Sequence, residues 1–219
     1  DVGKTLTIAY CSGVRYFRLD WSRPRKYTFL MSPQDVKTWD AEVDWGEPVY
    51  LRSSFFGRQR DLSALQEMLA DPTVRLITIT GPSGVGKSRL AAQLYLDARD
   101  AFTDGIVFVS LSAVHDPELV LSFLAKALEL RDDLDLPVLD QLQERLDGQR
   151  RLLVLDGFEH VLGASRAVTE LLSRVSGPVV LATSRAPLRI TAEHEYLLSP
   201  LQLPAPDGSR SPEQLLENT

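Results

Sequence analysis

The chain has 219 residues, enough for one large domain and a small second one, and its 44% apolar and 25% charged shares are ordinary for a soluble globular protein. No apolar run approaches the length of a membrane span and no basic-then-apolar secretory start is present, so no membrane partner is expected. The net charge of −6 is uneven: residues 1–60 carry about +3 and the remainder about −9, a balance that disfavours general binding of nucleic-acid backbone. The single cysteine, Cys11, excludes an internal disulfide and a cysteine-based metal cage, and a reducing, cytoplasmic setting is the expectation.

In chain order, residues 1–31 read as short strands, Thr5–Tyr10, Val14–Leu19 and Lys26–Met31, separated by the turn signals Ser12-Gly13 and Ser22-Arg23-Pro24. Residues 32–54 lack a period and read as a linker. The basic stretch around Arg18 to Tyr27 is interleaved with aromatics, a pattern seen in single-strand nucleic-acid stacking; a solvated strand face explains it better in so acidic a chain. Leu62, Leu65, Met68 and Leu69 then space as a helix.

The next segment carries the most information. Residues 81–88, GPSGVGKS, fit G-x-x-x-x-G-K-[ST], the phosphate-binding P-loop. The β-branched run Leu76–Thr80 precedes it and the helix formers of Arg89–Leu96 follow it, so a strand enters the loop and a helix leaves it. Successive N–H groups and the positive end of the helix dipole then face the phosphates. Gly81, Gly84 and Gly86 allow backbone angles that a Cβ resists, with Pro82, Ser83 and Val85 completing the loop and Arg89 following it. Lys87 is expected to reach the β- and γ-phosphates and the Ser88 hydroxyl to sit on Mg²⁺.

Beyond the P-loop, strands and helices alternate: a strand at Ile106–Leu111, a helix over about Pro117–Leu130, a second at Val138–Leu146, a strand at Leu152–Asp156, a helix near Val168–Val175 and a strand at Val179–Arg185. Glu195–Leu198 is a further strand candidate, and the stretch around Leu203–Gly208 a loop. Uninterrupted apolar strands alternating with helices mean a parallel sheet buried on both faces. The fold expected is an α/β P-loop NTPase with a five-stranded sheet flanked by helices and preceded by a small β-rich segment. The boundaries expected are 1–54, 55–204 and 205–219.

Asp156 ends an apolar strand, where a carboxylate holds Mg²⁺ through water. The following position, where many P-loop ATPases carry a second carboxylate, is Gly157. Glu159 lies close behind, as a water-orienting base or as an acid favoured at a helix start. Thr183-Ser184-Arg185 ends the next strand, as a γ-phosphate sensor built on a guanidinium or as a turn with an N-cap. Phe55–Asp61 can lay backbone against an adenine, or be a turn leading into a helix. His115, His160 and His194 are scattered, with no metal spacing.

Four stretches in order, FFGRQRDL at 55–62, LITITGPSGVGKSRLA at 76–91, LLVLDGFEH at 152–160 and VVLATSRAPL at 179–188, resemble the STAND-type signal-transduction ATPases. The likeness is to bacterial transcriptional regulators that carry an NB-ARC-like, AAA-type ATPase ahead of helical repeats, often with a LuxR-type or other DNA-binding domain. It spans about Ser54 to Pro204. The resemblance implies an ASCE strand order, with the 179–185 strand between the P-loop and Asp156 strands. It implies a nucleotide switch, ADP holding a closed form and ATP opening it for assembly or DNA-linked output. It puts Phe56, Gly57 and Arg58 near adenine and ribose, Gly84, Gly86, Lys87 and Ser88 on the phosphates, Asp156 on Mg²⁺ and Arg185 at the γ-phosphate. Members of this group sometimes carry a class III nucleotide-cyclase homology domain upstream, and Arg18–Tyr27 looks like its last strands, without cyclase metal or base residues.

The chain departs from that pattern at Gly157, where relatives usually have Asn or Asp. The winged-helix segment with its Gly-x-Pro contact, the repeats and the DNA-binding domain are also absent, and the chain reads as a piece of a longer protein. The activity expected is slow hydrolysis of ATP to ADP and phosphate, with Lys87, Asp156, Glu159 and Arg185 as the reacting set. Partners expected are nucleotide, with self-association or neighbouring regulatory domains, and DNA only through domains not present. An ADP-locked scaffold that never turns over and a P-loop kinase are the rival readings.

Overall fold

The computed structural model describes residues 55–130 and 136–201 in full, and the backbone of three strands nearer the N-terminus. The linker expected over 32–54, Cys11 and the tail from Leu203 lie outside the described residues. The chain divides into two compact units, Asp1–Asp44 and Trp45–Thr219.

In the first unit, β1 (Thr5–Ala9), β2 (Tyr16–Asp20) and β3 (Tyr27–Leu30) form an antiparallel sheet in the order β1-β2-β3. Thr5 pairs with Asp20 and Leu19 with Tyr27.

The second unit is built on a five-stranded, all-parallel sheet. In chain order its elements are α1 (Gln59–Ala70), β4 (Leu76–Thr80), α2 (Lys87–Asp97), β5 (Ile106–Ser110), α3 (Val120–Ala127), α4 (Val138–Leu146), β6 (Leu152–Asp156), α5 (Ser165–Arg174), β7 (Val179–Ser184) and β8 (Glu193–Leu197). The spatial order is β5-β6-β7-β4-β8, so β7 lies between the P-loop strand and the Asp156 strand, as the resemblance implied. The chain order reverses beside β4, and ligand crevices in open α/β sheets form at such a switch point.

Every residue of β4, β6 and β7 is buried, which is why these strands read as unbroken apolar runs. Alternate side chains feed two cores. Leu76, Leu153, Leu155, Val180 and Ala182 pack under α3, α4 and α5. Ile77, Ile79, Leu152, Val154 and Leu181 pack under α1 and α2 with Leu65, Leu90 and Leu94. Each fully buried leucine contributes about 1.5–3 kcal/mol. β8 is the exception: it is an edge strand whose Glu193, His194 and Glu195 are partly or largely exposed, a charged margin that discourages strand addition.

Two helices depart from the reading of the sequence. The Pro117–Leu130 pattern divides into a 3₁₀ turn, Pro117–Leu119, and α3. Asp116 caps that turn by accepting the Glu118 N–H, and α3 stops at Ala127, two residues before Glu129 turns to φ +56°. The helix expected from Val168 begins three residues earlier, at Ser165.

Candidate functional site

The P-loop joins β4 to α2 across the carboxyl edge of the sheet. Gly81 is held close: a Cβ there would lie 2.8 Å from the Leu198 carbonyl oxygen, and φ is +149°. Gly84 and Gly86 have φ of +78° and +104° with open space beyond. Their constraint is therefore backbone conformation and room for a ligand, not packing within the chain. Pro82, Ser83 and Gly84 are exposed at the tip. Gly86 is the N-cap of α2, so Lys87, Ser88 and Arg89 occupy its first turn, where unpaired N–H groups face outward.

Lys87 is buried to 8% exposure, and its Nζ donates to the carbonyls of Gly81 and Pro82 at 2.9 and 3.0 Å. The ammonium sits inside the curl of the loop, as a cation arriving from α2 must to meet an anion held there. Arg89 lies 5.8 Å from the centre of the Phe55 ring.

Asp156 ends β6 at 4% exposure. Its Oδ1 accepts the Thr183 hydroxyl at 2.6 Å, and the same hydroxyl accepts the Gly157 N–H at 2.9 Å. This three-way tie is the register at work, one step beyond the Leu155–Ala182 pair. Among the described residues no Lys or Arg forms an ion pair with Asp156. Carboxylate and hydroxyl oxygens such as those of Asp156 and Ser88 are donors of the kind a hard divalent cation takes.

Gly157 has φ +84° and opens the 3₁₀ turn Phe158–His160 that carries Glu159. Arg185, just past β7 and 56% exposed, donates through Nε to Glu159 Oε1 at 3.1 Å. The second oxygen, Oε2, is buried without a hydrogen-bond partner among the described residues. The candidate base and the candidate sensor thus meet as an ion pair beside Asp156. Ser184 is fully buried and accepts the Ala186 N–H at 3.3 Å, so the strand end is also a local turn.

At the other side of the loop, Phe56 is 68% exposed and Gly57 has φ +81°. Arg58 is 8% exposed and its guanidinium is taken up by protein: Nη1 donates to Asp61 and to the Ser199 carbonyl at 3.2 and 2.7 Å, and Nη2 to the Val85 carbonyl at 2.9 Å. Tyr196 completes the group by donating to Asp61 at 2.7 Å. Burial first, then the Asp61 bond, pushes the Tyr196 hydroxyl up to about 12.

Sequence reasoning missed three partnerships here. Thr183 was read with its strand end but not as the hydroxyl on Asp156. Arg58 was read toward the nucleotide and not toward Ser199. His115 and His160 were read as scattered, yet their rings meet edge to face at 6.5 Å. No group of three or more metal-binding side chains occurs among the described residues.

A family model described as an AAA domain matches residues 71–191, more than half of the chain. The chain belongs to the AAA domain family. The match takes in the P-loop, Asp156 and Arg185, while Phe56 to Asp61 and Tyr196 to Ser199 lie outside it. Among curated proteins the domain is similar to an uncharacterised protein, Rv0894, of Mycobacterium tuberculosis, with 37% identity over 69% of this chain and 38% of that protein. It is also similar to the regulatory protein AfsR of Streptomyces coelicolor, with 30% identity over 61% of this chain and 15% of that one. The chain thus spans well under half the length of these relatives. Among solved structures, Drosophila ORC bound to DNA superposes with a TM-score of 0.50 at 17% identity, covering 64% of this chain and 42% of that chain. That likeness is one of fold. Among the described residues no helix is long and apolar enough to cross a membrane.

Proposed function

We propose that this AAA domain is a nucleotide-dependent switch of the STAND, NB-ARC-like kind, binding ATP and ADP with Mg²⁺ and hydrolysing ATP slowly within a regulatory protein. The observation that carries the reading is the convergence at one sheet edge of a glycine loop opening a helix, a buried Lys87, a buried Asp156, and Arg185. In this reading the loop amides and Lys87 would hold the phosphates, and Phe56 with Gly57 would meet the base. Ser88 and Asp156 would hold Mg²⁺, which neutralises charge on the phosphate oxygens when bound. Catalysis by this chain is positioning and charge stabilisation: Lys87 on the phosphates, Arg185 toward the transferred group, and Glu159 orienting water once Arg185 leaves it. The ATPase unit is assigned to 55–204, with 1–54 and 205–219 outside it. The similarity to the regulatory protein AfsR supports a regulatory setting, which we place in transcription and in the cytoplasm, with any DNA contact made by other domains.

A second reading, an ADP-locked module that does not turn over, has its own support. Gly157 supplies no carboxylate, and Glu159, the nearest alternative, is engaged by Arg185. Phosphate release with Mg²⁺ and ATP separates the two. The switch reading expects measurable turnover below roughly 1 s⁻¹, the lower end for kinases, raised in Gly157→Asp, since Asp tolerates positive φ better than most residues. Zero turnover in both proteins, with ADP retained, selects the locked module.

A further inference from the structure

The P-loop is gripped from two sides by segments that carry no part of its motif. At its start, Gly81 packs on the Leu198 carbonyl, and the Leu198 N–H donates to the Thr80 carbonyl at 2.8 Å. Near its end, the Val85 carbonyl receives Arg58. The same guanidinium reaches the Ser199 carbonyl, so one side chain joins the loop to the chain just past β8. Those partners lie 27 and 141 residues from Arg58 in sequence.

We propose that Arg58 is the positioning residue of the phosphate loop, fixing the Val85 peptide to the end of β8, rather than a group that contacts the nucleotide base. This rests on the nucleotide-binding reading above and assigns Arg58 a different part in it. The first observation is occupancy. A buried cation requires acceptors in several directions, and Arg58 has them in two backbone carbonyls and the Asp61 carboxylate. The second is that Asp61 is itself held by the Tyr196 hydroxyl, so the guanidinium plane is set from α1 and from β8 together. The third is the weakness of the loop's own bonding. The Val85 N–H reaches the Pro82 carbonyl only at 3.4 Å, so the Arg58 bond to the Val85 carbonyl at 2.9 Å is the firmer of the two holds on that residue. Fixing the Val85 carbonyl outward turns the next amide, that of Gly86, toward the inside of the loop, where an anion would sit. Lysine is a poor replacement, because its one nitrogen lacks the planar spread by which two guanidinium nitrogens reach the Ser199 and Val85 carbonyls separately.

The test compares wild type, Arg58→Ala, Arg58→Lys and Tyr196→Phe. Arg58→Lys keeps the charge and the aliphatic stem and serves if Arg58→Ala does not fold. Amide hydrogen exchange of residues 83–86 is followed without nucleotide, and binding of ADP and of inorganic pyrophosphate is followed by calorimetry with Mg²⁺. Faster exchange in the loop, with affinity for both probes lowered by a similar factor of about ten or more, is expected for both Arg58 variants, as for loss of a hydrogen bond from a charged group. A smaller change in the same direction is expected for Tyr196→Phe. Unchanged exchange in the Arg58 variants overturns the proposal. So does a loss confined to ADP with pyrophosphate binding intact, which would place Arg58 at the base. If wild type binds neither probe, the nucleotide-binding reading fails, and the exchange rates still decide what Arg58 does.

Discussion

Replacing Thr183 with valine keeps the shape of a β-branched residue at the centre of the sheet and removes one oxygen. That oxygen donates to Asp156 at 2.6 Å and accepts from Gly157 at 2.9 Å, with Thr183 at 1% and Asp156 at 4% exposure. The donation to an ionised carboxylate is worth about 1.5–3 kcal/mol, and leaving a buried donor unsatisfied costs about 1–3 kcal/mol more. The Gly157 amide is only partly buried, so its share falls at the low end, and the sum is about 3 kcal/mol. Thr183→Ser keeps the hydroxyl and loses a methyl group, about 1 kcal/mol with its cavity. Urea unfolding followed by circular dichroism measures both, the slope being held as a check that the unfolded state is unchanged. A midpoint shift for valine under about 1 kcal/mol, or no larger than that for serine, would refute the view that this hydroxyl ties β6 to β7.

Three further outcomes follow from the same structure. Thr78 is fully buried and its hydroxyl has no partner among the described residues, so Thr78→Val should be neutral or stabilising, raising the thermal midpoint by about 2–4 °C if a full kcal/mol is recovered; a clear loss would mean the hydroxyl is in use. Gly177 has φ +100°, and a Cβ there would lie 2.6 Å from the Gln149 carbonyl oxygen, so Gly177→Ala should cost more than about 1 kcal/mol in denaturant midpoint through strain and a backbone shift. The neutral form of Tyr196 is favoured by folding, so its contribution is complete below the unfolded value near 10 and is lost as pH rises toward about 12. Tyr196→Phe should flatten stability against pH in that window, and an unaltered slope between pH 10 and 12 would contradict the upward shift of the Tyr196 hydroxyl.

Much of the fold was legible because parallel strands buried on both faces leave an unbroken apolar signature. Leu76–Thr80 and Leu152–Asp156 have the same limits in sequence and structure. The P-loop was legible because its glycines and lysine are local to one turn. What depends on distant pairing was not. Nothing in Phe55–Asp61 reveals that Arg58 finds the Ser199 carbonyl, since that contact requires β8 to lie beside β4. Nor does the spacing of Asp156 and Thr183 show their bond, which follows only from β6 and β7 pairing in that register. The division of the 117–130 helix turned on Asp116 and Pro117 starting a tighter turn, a local competition that apolar periodicity does not register.

Calorimetric titration of Mg²⁺ and ADP into the wild-type chain, first stripped of any retained nucleotide by denaturation and refolding, and into Lys87→Ala in parallel, bears most directly on the claim that this crevice is a nucleotide site. Stoichiometric binding by wild type, abolished or weakened at least about a hundredfold by removing the buried ammonium, is the result expected for a cation placed on phosphates. No binding by wild type, or equal affinity in Lys87→Ala, would contradict it.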